Sequence, residues 1–240
     1  MPKRIAIITT KGVTEEEKES VEQGVQEVNR ALGGGLLSIQ DLGDGGDLFP
    51  AESYIEAALL RNKKEQVVRA QILFSGLLDG FLTRRSAIGA PDYLILAIDQ
   101  RLRNQNTNFL LGLEASQRPV GALAVGKLRE ARDEEDLCSP FQDYVRSLAS
   151  HQLGHMLGAA SGRMGRDILA SQEETQRSNN SYKKDGLPPV SLDHCDSVCT
   201  MATSTYIIKG MGYIIEKTRE RTFCDECINQ MEATLIYKDG

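Results

Sequence analysis

Only three histidines occur in the 240 residues, and two of them, His151 and His155, lie four apart in the stretch HQLGH. On a helix that spacing stacks both side chains on one face. Two imidazoles so placed can hold one tetrahedral zinc and leave positions for a third ligand and a water. His194 is the remaining histidine and therefore the candidate third ligand. Gly158 follows the pair where the chain has to turn sharply to bring that ligand back. A histidine pair at this spacing also occurs as two capped or surface residues. Gly158, the third histidine and a nearby group of cysteines weigh for the metal.

That group is Cys195, Cys199, Cys224 and Cys227, with the last two in the stretch CDEC. Paired cysteines separated by a loop are the pattern of a closed, structural four-cysteine zinc site; the alternative is four buried thiols. His194 and Cys195 are neighbours, and in extended backbone adjacent side chains point to opposite sides. One can then face the histidine site while the other faces the cysteine site. The expectation is two zinc ions per chain. Cys138, the fifth cysteine, lies outside both groups and reads as a plain buried or surface thiol.

Positioning these residues requires a scaffold, and the hydrophobic pattern supplies one. Arg4 to Thr9 and Tyr93 to Ile98 are apolar runs that read as buried strands. Leu36 to Leu42 reads as another strand, ahead of a glycine-rich loop. Pro119 to Leu128 reads as a further strand, whose glycines suggest a sheet edge. Thr14 with Glu17 forms a capping-box pattern, and Val21, Val25, Val28 and Leu32 continue at helical spacing to the stop at Gly33–Gly35. A long helical region, broken near Gly76–Gly80, is expected over about 52–82, and a helix over about 140–160 carries HQLGH. Residues 162–193 are polar, with little to bury, and read as a loop or flexible excursion.

Composition narrows the function classes. The net charge is −6 and the sequence pI about 5.3, without the basic face that nucleic-acid binding requires. No stretch approaches the roughly 20 apolar residues of a membrane span. The apolar run at the N-terminus is too short for a signal peptide. The expectation is a cytoplasmic protein with no nucleic-acid or membrane partner. In a reducing compartment its clustered cysteines are metal ligands rather than disulfides.

HQLGHMLG at 151–158, HC at 194–195, Cys199, Met201 and CDEC at 224–227 together resemble the archaemetzincins, a branch of the metzincin zinc peptidases. That family carries HExxHxxGxxHC, then a second cysteine, a nearby methionine and a closing CxxC. DYLILAIDQRL and NFLLGLEASQRPVGALAVGKLR resemble its central strand and the edge strand bordering its substrate cleft. The resemblance runs from about Val67 to Cys227. It implies that His151, His155 and His194 bind a catalytic zinc and that the four motif cysteines bind a structural one. It also implies that Met201 forms the Met-turn beneath the catalytic site.

The chain departs from the family in three ways. Gln152 stands where the family has the glutamate that takes the proton of a zinc-activated water. A glutamine can hydrogen-bond that water but cannot accept its proton. The loss of a positioned general base costs about 10²–10⁴-fold in rate. The family's third histidine falls ten positions after the first, at Ser161 here, whereas this chain reaches His194 only after the polar segment. Either that segment loops out and returns, which closure entropy tolerates, or the third ligand is displaced. Finally, three residues separate Cys195 from Cys199 where the family usually has four, a variation a four-cysteine site accommodates.

The fold expected from the resemblance is α/β, a zincin (metzincin-like) fold with a mixed twisted sheet, an active-site helix and a small, irregular, zinc-stapled C-terminal subdomain. A single catalytic-type domain would comprise 1–158 with the active-site helix, a polar insertion over 159–193, and 194–240 with the Met-turn and cysteine site. The expected function is a peptidase scaffold whose hydrolysis is weak or lost. The alternative is a non-catalytic zinc protein that binds a peptide or protein in the cleft. A weaker third reading has only the cysteine zinc, in a structural or interaction module.

Overall fold

The computed structural model describes residues 1–44, 71–73, 82–103, 108–110, 112–114, 120–134, 139–159, 199–201, 208–218 and 221–237. Cys138, His194, Cys195 and the polar insertion beyond residue 159 lie outside the described residues, as does most of the helical region expected over 52–82.

Strands β1 (Lys3–Thr9), β2 (Leu37–Asp41), β4 (Tyr93–Ile98) and β8 (Val120–Ala124) pair in parallel, and β7 (Gly112–Glu114) adds antiparallel to β8. The order is β2-β1-β4-β8-β7, a mixed sheet with β4 at its centre. Every residue of β4 is buried, as expected of a parallel strand covered on both faces. A second sheet joins β3 (Gln71–Leu73), β5 (Arg101–Arg103) and β6 (Asn108–Leu110).

Helix α1 (Glu15–Ala31) starts at the expected capping box: Thr14 Oγ1 accepts from Glu17 N–H, and a Glu17 carboxylate oxygen accepts from Thr14 N–H. Helix α2 (Val125–Glu134) follows β8 without a break, and its Arg129 locks α1 to the end of β4. The Arg129 guanidinium meets Glu17 at 2.6 Å and Asp99 at 2.8 Å. Helix α3 (Phe141–Met156) carries HQLGH, and α4 (Ile208–Lys217) and α5 (Asp225–Tyr237) follow in the C-terminal part.

The structure corrects the sequence reading in three places. Pro119–Leu128 is not an edge strand: β8 spans only Val120–Ala124 and lies inside the sheet, and β7 takes the edge. Gln71–Leu73, expected within a long helix, is a strand paired in parallel with β5. The C-terminal part, expected to be irregular, contains two helices among its described residues.

From Ser147 to Met156 every residue of α3 is buried, and among the described residues α1, β7, β8, α2 and α4 all contact the helix. α1 packs closely against one side, where Gly24 faces the Arg146 carbonyl and the Ser150 hydroxyl donates to the Gly24 carbonyl at 3.0 Å. The β7–β8 pair packs on another, through glycines. A Cβ at Gly121 would sit 2.7 Å from Met156 Sδ, and one at Gly112 would sit 2.5 Å from Gln152 Nε2. Met201 and Phe223 close the third side against Gly154. A helix buried all round carries no polar stripe, and the residues of HQLGH that are polar sit in the interior for another reason. No helix among the described residues is long and apolar enough to cross a membrane.

Candidate metal centre

Helix α3 ends immediately after His155, and the reason is Gly158. Its φ of +86° is the left-handed conformation that glycine adopts without strain. Gly158 N–H donates to the His155 carbonyl at 2.9 Å and Ala159 N–H to the Gly154 carbonyl at 2.8 Å. These are the two hydrogen bonds of a Schellman cap, and they satisfy the last carbonyls of the helix while turning the chain away. The turn expected at Gly158 is thus present in full.

His151 and His155 project together from the last two turns of α3. Their rings meet edge to face with centroids 4.7 Å apart, and their Nε2 atoms approach to 3.1 Å. His151 is fully buried, and its Nδ1 lies 2.6 Å from the Thr200 carbonyl. A carbonyl only accepts, so Nδ1 carries the proton and Nε2 presents its lone pair towards His155. Burial pushes the His151 pKa down from 6.5 to about 4, opposed by the hydrogen bond to Thr200. The ring is therefore neutral at pH 7, which is the form that binds metal.

The spacing fits one ion. Two nitrogens on a tetrahedral zinc at about 2.0–2.1 Å lie about 3.3 Å apart, close to the 3.1 Å seen here. A second-layer carbonyl that holds the other ring nitrogen is the usual arrangement for a ligating histidine. Thr200 supplies it.

Three of the four motif cysteines also converge. The sulfurs of Cys199, Cys224 and Cys227 all lie within 4.8 Å of one another, with Cys199 and Cys227 at 4.0 Å. Zinc–sulfur bonds of about 2.3 Å in tetrahedral geometry place sulfurs about 3.8 Å apart, so this group also fits an ion. The CDEC stretch forms the start of α5, with Asp225 and Glu226 in its first turn, where acidic residues favour the helix. Met201 N–H donates to Cys199 Sγ at 3.4 Å. His194 and Cys195, the remaining candidate ligands, are outside the described residues.

Gln152 sits between the two histidines in sequence and is entirely buried. Neither its Nε2 nor its Oε1 has a hydrogen-bond partner among the described residues, and its amide packs against Gly112 of the edge strand β7. Met201, also fully buried, packs its sulfur against Gly154, where a Cβ would lie only 2.5 Å from Sδ. Sequence reasoning missed Thr200, because the group that matters is a main-chain carbonyl. It also missed Gly112, for which a glycine inside a strand pattern was the available signal.

The fold as a whole matches a solved structure. The archaemetzincin from Methanopyrus kandleri superposes with a TM-score of 0.58 at 16% sequence identity, over 98% of this chain and 96% of that one. A zinc-dependent peptidase from Methanocorpusculum labreanum gives a TM-score of 0.47 at 15% identity, covering 95% of this chain and 99% of that one. The archaemetzincin from Archaeoglobus fulgidus, complexed with malonate, gives 0.46 at 14% identity, with the same coverage. No protein-family model matches the chain, and no curated protein does. The first of these likenesses establishes that this chain has the archaemetzincin fold.

Proposed function

We propose that the chain is an archaemetzincin-like zinc protein that keeps both metal sites and binds peptides, with hydrolysis weak or lost. His151, His155 and His194 hold one zinc; Cys195, Cys199, Cys224 and Cys227 hold the other, and Met201 forms the Met-turn. The observation that carries this reading is the fully buried Gln152, next in sequence to His151, whose Nε2 converges with that of His155. When bound at the histidines, zinc supplies Lewis acidity, lowering the pKa of a bound water and polarising a carbonyl.

What the chain's own residues can do then decides the outcome. His151, oriented by Thr200, stays neutral and in place. The Gln152 amide offers two N–H donors and a carbonyl acceptor, but no basic site for a proton. The ligand would lie extended along β7, the antiparallel edge, and be held by main-chain hydrogen bonds. Recognition is thus retained while proton transfer is not, which favours the binding reading over the peptidase one.

Restoring the carboxylate tests this. Gln152→Glu is expected to raise cleavage of a quenched-fluorescence peptide library by about 10²-fold or more, at unchanged zinc content. No rise, with zinc still bound, would show that the missing base is not what limits hydrolysis.

A further inference from the structure

The tripeptide Cys199–Thr200–Met201 touches both metal groups at once. Cys199 contributes its sulfur to the cysteine cluster. One residue on, the Thr200 carbonyl accepts from His151 Nδ1–H at 2.6 Å. The Thr200 N–H is itself held by the Thr222 carbonyl at 2.9 Å, two residues before Cys224. Met201 closes the loop in both directions. Its N–H donates to Cys199 Sγ at 3.4 Å, and its side chain packs against Gly154, the residue before His155 on α3. All three residues are at most 1% exposed.

We infer that this tripeptide couples the two sites, so that loading the cysteine cluster raises the metal affinity of the histidine site, and the reverse. The inference rests on the reading above that both sites take zinc, and it goes beyond that reading by making them one cooperative unit. The physical chain is short. A metal held by Cys199, Cys224 and Cys227 would pin the Cys199 sulfur, and the Met201 N–H donates to that same sulfur at 3.4 Å. That fixes the backbone of 199–201 and with it the Thr200 carbonyl. The carbonyl fixes the tautomer and rotation of His151, which leaves Nε2 aimed at His155. Such outer-layer partners change metal affinity by about 10–100-fold. Coupling between binding sites is reciprocal, so each must feel the other by the same factor.

The test is a cobalt titration of the full chain against a competing chromophoric chelator. Thiolate-to-cobalt charge-transfer absorption reports the cysteine site, and total bound cobalt reports both. Two variants are compared with wild type at matched far-UV circular dichroism. C224S removes a thiol without altering 199–201 and is expected to weaken the histidine site about tenfold or more. H155A leaves every thiol in place and is expected to weaken the cysteine site by the same factor. If C224S loses helix content, H155A alone decides the matter. Unchanged affinity of the intact site in the variants would overturn the coupling. A wild-type chain that takes up two ions independently overturns the coupling alone. A wild-type chain that takes up only one overturns the functional reading together with it.

Discussion

Gln152 places an amide with no partner among the described residues in a fully buried position. An unmet buried polar group costs about 1–3 kcal/mol. Gln152→Leu, which removes both polar atoms at similar volume, is therefore expected to stabilise the zinc-free protein by about that amount in urea denaturation. A clear loss of stability would show that the amide is in fact satisfied. His151 argues in the same direction through pH. Its folded pKa of about 4 lies below the unfolded value of 6.5, so below pH 6.5 the unfolded chain binds more protons than the folded one. The stability held by the neutral ring is complete above pH 6.5 and is lost as pH falls towards 4, on the order of 3 kcal/mol in all. Denaturation midpoints of chelator-treated protein from pH 7 to 4 check this, and His151→Asn should flatten the fall. The pairing of His151 with His155, the grouping of Cys199, Cys224 and Cys227, and the turn at Gly158 were legible in the sequence because their chemistry belongs to the residue type and its spacing. Thr200 was not, since every residue has a carbonyl and only the tertiary structure chooses one.

Helix α3 is positioned by contacts that small residues make possible, and this is where the sequence misled most. The glycines of PVGALAVGKL suggested an edge strand, because glycine weakens a strand interior. Gly121 is instead small because Met156 Sδ lies where its Cβ would be. The strand is interior, and the edge is the short β7, whose Gly112 makes room for Gln152. At Gly24 two effects compete. Alanine in the middle of α1 gains about 0.8–1 kcal/mol of helix propensity over glycine. Its Cβ, however, would sit 2.5 Å from the Arg146 carbonyl oxygen and 2.8 Å from the Ala149 Cβ, neither of which can rotate away. Overpacking of this kind costs about 1–3 kcal/mol. Gly24→Ala is expected to be net destabilising by about 1–2 kcal/mol in urea denaturation. A stabilised variant would mean that α1 and α3 are not in the contact described.

For the molecule as a whole, local patterns gave most of the elements and little of their arrangement. The capping box at Thr14, the apolar run of β4 and the helix carrying HQLGH are each encoded within a few turns of chain. The order β2-β1-β4-β8-β7 is set by pairings between distant segments. The strand at Gln71–Leu73 exists only because β5 is there to pair with it. The motif set nevertheless led to the archaemetzincin fold, because residues spread over the second half of the chain have to meet in space for it to make sense. Three of those cysteines and two of those histidines do meet. The claim on which the rest depends is that the distant His194 completes the histidine site. Zinc per chain, determined by elemental analysis after a mild chelator wash, tests it in wild type and in His194→Ala. The account predicts about two zinc ions in wild type and about one in the variant. One zinc in both would contradict it, and would leave a fold stapled at its cysteines with no metal at the histidines.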